Sequence, residues 1–335
     1  MKDIAGELGI SVVTVSRALK DHPDIGTETK KRVREMAAKA GYRPNLLARG
    51  LVTRRTYVIG LVIPDLGHSF FAEICRAVER QVFPHGYHVL IANSDERADV
   101  EKEHVESLIA RQVDGVILAS SQPPGDTAFF ESVRERNVPL VMIDRWYPGI
   151  ETSYVGVDDE RIGVLATEHL ADCGCRRIAH LRGQEIPPGE GRLRGYQEVL
   201  KRHGLKAPDG YVQRTDASDA AGRQAMERLL ETGPPPDGVF CYNDAVAIGA
   251  MNAILDAGLR IPEDIALAGA GNVRHSGSLR VPLTTVDQQS ALVGERSGEL
   301  MMKLILEPED LEPERILIPP RLIVRQSSLT RAGLG

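Results

Sequence analysis

Between residues 57 and 330, short apolar runs rich in β-branched residues alternate with longer stretches whose apolar positions recur at helical spacing. The first half reads as strands over 57–63, 87–92, 115–119 and 139–143, separated by helices over 69–82, 99–111 and 127–136. After a strand over 154–157 the pattern restarts, with helices over 160–172, 191–203, 218–231 and 243–257 and strands over 177–181, 238–241 and 265–268. A last strand is expected over 321–325. Serial alternation of this kind predicts parallel βαβ units, and the restart predicts two doubly wound α/β lobes of ordinary domain size. Ligands of such sheets lie beyond the carboxyl ends of the strands. There the chain turns polar: Pro64 with Asp65, Asn93 with Ser94, Asp144 with Arg145, Asn243 with Asp244. Any one of these reads equally well as a helix cap, whereas the set points to a ligand crevice between the lobes.

Residues 1–44 follow another pattern. Residues 2–8 form a short helical stretch with Ala5 and Leu8 facing inward, Gly9 supplies the positive φ of a tight turn, and Ser11 caps a second helix over 12–19. Ile10, Val15 and Leu19 form the stripe that joins the two helices. Val12, Val13, Ser16 and Arg17, with Ser11 and Thr14 at the helix start, are then the candidate DNA contacts, because the second helix of a helix-turn-helix presents its N-terminal residues to base edges in the major groove. Valines pack on thymine methyls, and an arginine donates to guanine or to phosphate. A third helix is expected over 28–40 with Thr27 as its cap, and its Lys30, Lys31, Arg32 and Arg34 read as phosphate contacts or solvated charges. Asn45 caps a further run through Ala48 and Leu51 that is too short to hold as an isolated helix.

Charge changes this picture only when it is localised. The 335 residues carry a net charge of -6, the wrong sign for a nucleic-acid binder. Twelve Lys/Arg against six Asp/Glu nevertheless fall within the first 56 residues, so the basic charge is gathered at the helix-turn-helix end. Four scattered cysteines make no disulfide framework, and neither an export signal nor a membrane-length apolar run is present, so a cytoplasmic protein is expected. Cys173-Gly174-Cys175 lacks a second Cys/His pair at finger spacing, so no metal is expected. No P-loop, dinucleotide fingerprint or nucleophile elbow occurs either, so no cofactor and no enzymatic activity are expected. A two-lobed transport component is the rival class, and the basic head speaks against it.

The residues Asp3-Ile4-Ala5, Gly9-Ile10-Ser11, Thr14-Val15-Ser16-Arg17 and Gly41-Tyr42-Arg43-Pro44-Asn45 with Ala48 resemble the lactose-repressor/galactose-repressor (LacI/GalR) family. So do residues 60–65 (GLVIPD), Phe70-Phe71, Val113-Asp114-Gly115, Asn243-Asp244 and residues 282–286 (PLTTV), which extends the resemblance over essentially the entire chain. It implies a small all-α helix-turn-helix head (1–44), a hinge helix and linker (45–56), and an α/β periplasmic-binding-protein-like core of two doubly wound lobes (57–330). The N-lobe would take about 57–156 plus 288–316 and the C-lobe about 157–287 plus 317–330, with three crossovers that return a helix over 290–306 to the first lobe. A homodimer would read a palindromic double-stranded operator, the hinge from Asn45 to Leu51 would fold at its centre, and Leu51 would wedge into the minor groove. A small-molecule effector in the cleft would control DNA affinity. The resemblance places Phe71, Asp144, Arg192, Asn243 and Gln288 in that pocket, and Tyr154 is a candidate aromatic face. Such a set suits a sugar or sugar derivative, and fits nucleobases and sugar acids as well.

Three departures from the family bear on the pocket and the head. Gly269-Ala270-Gly271-Asn272 stands where the family carries an acidic pair, so Asn272 is expected to replace one acid, and an uncharged Gly271 beside Arg192 points toward an acid-bearing ligand. His68-Ser69 replaces the usual Asn-Pro at the pocket mouth, and residues 183–191, with Pro187 and Pro188, read as a mobile loop at the cleft rim. Family members often carry more residues ahead of the Asp3 position, so some phosphate contacts of the first helix are expected to be missing while the recognition helix is kept.

Overall fold

The computed structural model describes residues 1–19, 21–42, 53, 55–123, 125–231, 233–307 and 312–329, and it divides into two units, Met1–Thr56 and Tyr57–Gly335. In the first unit, α1 (Lys2–Leu8), α2 (Val12–Leu19) and α3 (Thr27–Lys39) enclose a small core of Ile4, Ala5, Val15, Ala18, Val33 and Ala37. Gly9, at φ 65°, ends α1, and the following Ile10 N–H donates back to the Ala5 carbonyl. Two expectations for α3 change. Gly26, not Thr27, holds the cap position, and no side chain caps that helix. Lys30 and Arg34 are engaged rather than free: Lys30 Nζ donates to the Asp21 carbonyl at 3.0 Å and Arg34 to its carboxylate at 2.8 Å, which fixes the connection between α2 and α3.

The second unit contains two six-stranded sheets. The first runs β11 (Arg315–Ile318), β5 (Ser153–Val157), β4 (Leu140–Ile143), β3 (Gly115–Leu118), β1 (Val58–Ile63), β2 (His88–Asn93), all parallel. The second runs β12 (Arg321–Ile323), β10 (Thr284–Asp287), β9 (Ala266–Ala270), β8 (Gly238–Cys241), β6 (Ile178–Arg182), β7 (Val212–Arg214), with β12 antiparallel to β10 and the rest parallel. Central strands are buried on both faces, which is why they read as unbroken apolar runs. Helices α4 (Ser69–Val82), α5 (Ala98–Ala110), α6 (Ala128–Glu135), α7 (Asp159–Asp172), α8 (Pro187–Arg202), α9 (Asp219–Glu231), α10 (Asp244–Asp256) and α11 (Ser290–Leu306) complete the layers.

The chain passes from one sheet to the other after β5, after β10 and between β11 and β12. Helix α11 lies on α4, where Gly294 lets the two backbones meet: a Cβ there would stand 2.6 Å from both the Ala77 Cβ and the Ile74 carbonyl oxygen. Three strands escape the periodicity. β7 is three residues long, β10 is polar in composition, and β11 is partly exposed. Residues 187–191 are also not a loop, since α8 begins at Pro187. Its two prolines occupy the first turn, where a missing N–H breaks no helical hydrogen bond and the fixed φ favours the helix. Among the described residues, no helix is long and apolar enough to cross a membrane.

Candidate functional site

The polar residues at the carboxyl ends of both sheets converge on one cavity of about 170 Å³. Asp65 follows β1, Asp144 and Arg145 follow β4, Tyr242 and Asn243 follow β8, and Gln288 follows β10. Phe70 and Phe71 from the first turn of α4 supply an aromatic wall, packed edge to face with ring centroids 5.1 Å apart. A hollow of about 600 Å³ also opens beside α6 and the amino ends of β4 and β5, but its charged lining residues Glu131, Arg134 and Glu151 are all exposed. Both buried arginines, Arg145 and Arg192, line the cleft cavity instead.

Each lobe contributes one buried arginine, and each arginine is balanced from within its own lobe. The Arg145 guanidinium donates to both Glu96 carboxylate oxygens at 2.8 and 2.6 Å and to the Ser120 carbonyl at 2.9 Å. Burial pushes the adjacent Asp144 carboxyl up, against the pull of Arg145 and Arg192. In the other lobe Arg192 Nε donates to Asp159 at 3.0 Å and Nη1 to the Tyr242 carbonyl at 2.6 Å, while the guanidinium covers the Tyr242 ring at 4.5 Å. Burial drives the Asp159 carboxyl up to about 6 even beside that arginine. The pair forms because α7 and α8 touch backbone to backbone. A Cβ on Gly163 would lie 2.2 Å from the Arg192 carbonyl oxygen, and one on Gly195 would lie 2.1 Å from that of Glu160.

Of the expected pocket residues, Phe71, Asp144, Arg192, Asn243 and Gln288 line the cavity together. Tyr154 does not: it is buried in the core of lobe 1, built on the first sheet as lobe 2 is on the second, beside Trp146, and its hydroxyl donates to the Asp144 carbonyl at 3.0 Å, so it supports the wall from behind. Asn272 does not either, because its Oδ1 accepts from Arg325 at 2.7 Å. Asp244, the acid next to Asn243, holds that loop by accepting from Val273 N at 2.9 Å, Ser276 Oγ at 2.6 Å and Thr285 Oγ1 at 2.5 Å. The carboxylate beside Arg192 is Asp159, which removes the charge argument drawn from Gly271. Glu96, Arg145, Asp159 and Tyr242 were not among the expected ligand residues; Arg145 alone was legible, as a polar residue at a strand end.

In the first unit, Ser11 Oγ accepts from the Thr14 amide at 3.0 Å and so caps α2. Beyond this cap the helix presents Val12 and Val13, which are 40% and 62% exposed although apolar, together with an exposed Arg17 whose nearest acidic partner, Asp24, is 4.0 Å away. Ser16 is half-buried on the same helix. Asn45, Ala48 and Leu51 lie outside the described residues.

A helix-turn-helix with an apolar yet exposed recognition face, accompanied by a two-lobed core with a polar cavity at the strand ends, defines a ligand-responsive DNA-binding protein. Comparison with known proteins makes the class specific. Residues 1–45 match the profile of bacterial regulatory proteins of the lacI family, and residues 167–328 match a periplasmic binding protein-like domain. The chain is 34% identical to a ribose operon repressor of Halalkalibacterium halodurans over 98% of its length and 96% of that protein. With the HTH-type transcriptional repressor CytR of Escherichia coli the identity is 32%, over 98% and 96%. A lac repressor dimer bound to operator and an anti-inducer superposes with a TM-score of 0.86 at 27% identity, covering 98% of each chain. A CelR–cellobiose complex gives 0.75 at 29%, covering 97% and 98%. The chain belongs to the LacI/GalR family of transcriptional regulators. It is a DNA-binding, effector-regulated transcriptional repressor.

Proposed function

We propose that the chain works in the cytoplasm as a homodimer on a palindromic operator, and that a small neutral polyhydroxylated ligand of the sugar class, held in the interlobe cavity, sets its affinity for DNA. The observation that carries the ligand class is the internal balance of Arg145 by Glu96 and of Arg192 by Asp159. Each guanidinium already has a carboxylate partner in its own lobe, and Asp65, Asp144 and Asp216 add further carboxyl groups to the lining. Hydroxyl groups, which both donate and accept, match that mixture. Val12, Val13 and Arg17 would read base edges with Ser11, Thr14 and Ser16 beside them, and the hinge from Asn45 through Ala48 to Leu51 would seat at the operator centre. Self-association is supported by the edge strand β2, which leaves Leu90 and Ile91 exposed near an exposed Phe83.

A selected palindromic duplex, titrated by fluorescence anisotropy with D-ribose, cellobiose and the corresponding sugar acids, tests this reading. One neutral sugar is expected to change the operator affinity by about 5–150-fold, the usual range of coupling between sites. A response confined to the acids overturns the neutral-sugar assignment, and binding no tighter than to random duplex overturns the operator reading. Leu51→Ala should weaken operator binding much more than non-specific binding; equal losses would remove the wedge. Leu90→Arg should shift the protein toward monomer in sedimentation velocity, and an unchanged dimer would move the interface elsewhere.

A further inference from the structure

The rim of the cleft carries one direct side-chain contact between the lobes that nothing above accounts for. His68, at the cap of α4 in lobe 1, lies with its Nε2 3.4 Å from Asn243 Nδ2 in lobe 2. The chemistry of that contact is fixed by Asn243. Its Oδ1 accepts from the Val246 amide at 2.8 Å and caps α10, and its Nδ2 donates to the Ala217 carbonyl at 3.0 Å, so turning the amide over would break both bonds. An N–H therefore faces His68, and Nε2 has to be the acceptor. The proton of the neutral ring then sits on Nδ1, which is buried and finds no hydrogen-bond partner among the described residues.

We propose that His68 is the latch of this cleft: as the neutral Nδ1–H tautomer it ties the lobes together through Asn243 and keeps one N–H for an acceptor oxygen of the bound ligand, while protonation breaks the tie and opens the cleft. The ligand half of this proposal rests on the effector-site reading; the latch does not. Burial holds His68 below the ordinary histidine range. Around it, Asp65 after β1, Asp144 after β4 and Asp244 on α10 favour the proton, and Arg192 on α8 opposes it. Because the closed form takes the proton less readily than the open one, closure is fully available above about pH 6.5 and declines as the pH falls below it.

Two measurements on the ligand-free full chain test the latch. Ring ¹⁵N spectra of histidine-labelled protein, with the His68 signals assigned by their loss in His68→Gln, should show Nδ1 protonated and Nε2 bare at neutral pH. A protonated Nε2 overturns the proposal. Spin labels on exposed positions 103 in lobe 1 and 224 in lobe 2, in a Cys173→Ser background, report opening. The open-to-closed ratio should rise by up to about tenfold per pH unit on acidification, the limit for one linked proton, and should be flat in His68→Gln. Asn243→Asp keeps the α10 cap, since Asp caps as well as Asn, but replaces the donor with an acceptor, so its closed form needs protonated His68 and the pH response should reverse. The same response in wild type and His68→Gln, or an unreversed one in Asn243→Asp, overturns the latch. Loss of the sugar response in the anisotropy titration would bear on the effector reading alone.

Discussion

The two functional regions of this molecule use charge and apolar surface in opposite ways. In the head the candidate contacts are what folding leaves over: Val12 and Val13 are exposed and Arg17 has only a distant partner. In the cleft the same kinds of side chain are engaged twice, since Arg145 and Arg192 form the cavity wall while carrying the buried bonds that hold it. Function and stability are therefore separable in the head and fused in the core.

The sharpest way to break this contrast is Arg192→Ala. It leaves Asp159 buried without its guanidinium, and a loss of about 3–5 kcal/mol of core stability in urea unfolding is expected; a loss under about 1 kcal/mol would mean that the pair is not a structural element. Arg17→Ala is the counterpart. It should weaken operator binding by about 1–3 kcal/mol if it contacts a base while moving stability by no more than about 0.5 kcal/mol. A melting shift comparable to that of Arg192→Ala would erase the distinction.

Glycines offer a smaller version of the same test. Gly163→Ala pushes a methyl group into the Arg192 carbonyl and should cost about 1–3 kcal/mol. Gly6→Ala, inside α1 with open space around it, should stabilise the head by about 0.5–1 kcal/mol, because alanine is the better helix former. Thermal unfolding of both variants reads the two signs. Ser11→Ala should cost about 1 kcal/mol through loss of the α2 cap, measured as reduced helix protection in hydrogen exchange; an unaltered exchange rate would show that the Thr14 amide is satisfied otherwise.

Much of this architecture was legible. The alternation of apolar runs and helical stretches placed most strands within a residue or two, because strands covered on both faces must be apolar throughout. The exceptions are instructive. β10 hides behind the polar string Thr284–Asp287 because Thr284 satisfies its hydroxyl inside the lobe, on the Arg325 carbonyl at 2.9 Å. The start of α8 was obscured by prolines that usually end helices but here begin one. At the candidate site, strand-end polarity pointed to Asp144 and Asn243, which line the cavity, whereas Tyr154 and Asn272 lie outside its lining, since a sequence does not say whether a side chain faces the cavity or the packing behind it.

What the chain determined by itself was the periodicity of its helices and strands, the segregation of basic charge toward one end, and a recognition helix with more apolar residues than its packing stripe uses. These are local or additive properties, set within a few residues of one another. Which carboxylate meets which arginine was decided only in three dimensions. Asp159 reaches Arg192 because glycines on α7 and α8 let two backbones touch, and His68 reaches Asn243 from 175 residues away because two separately wound sheets close on one cavity. Pairings at that range depend on how whole elements pack, and no pattern along the sequence carries them.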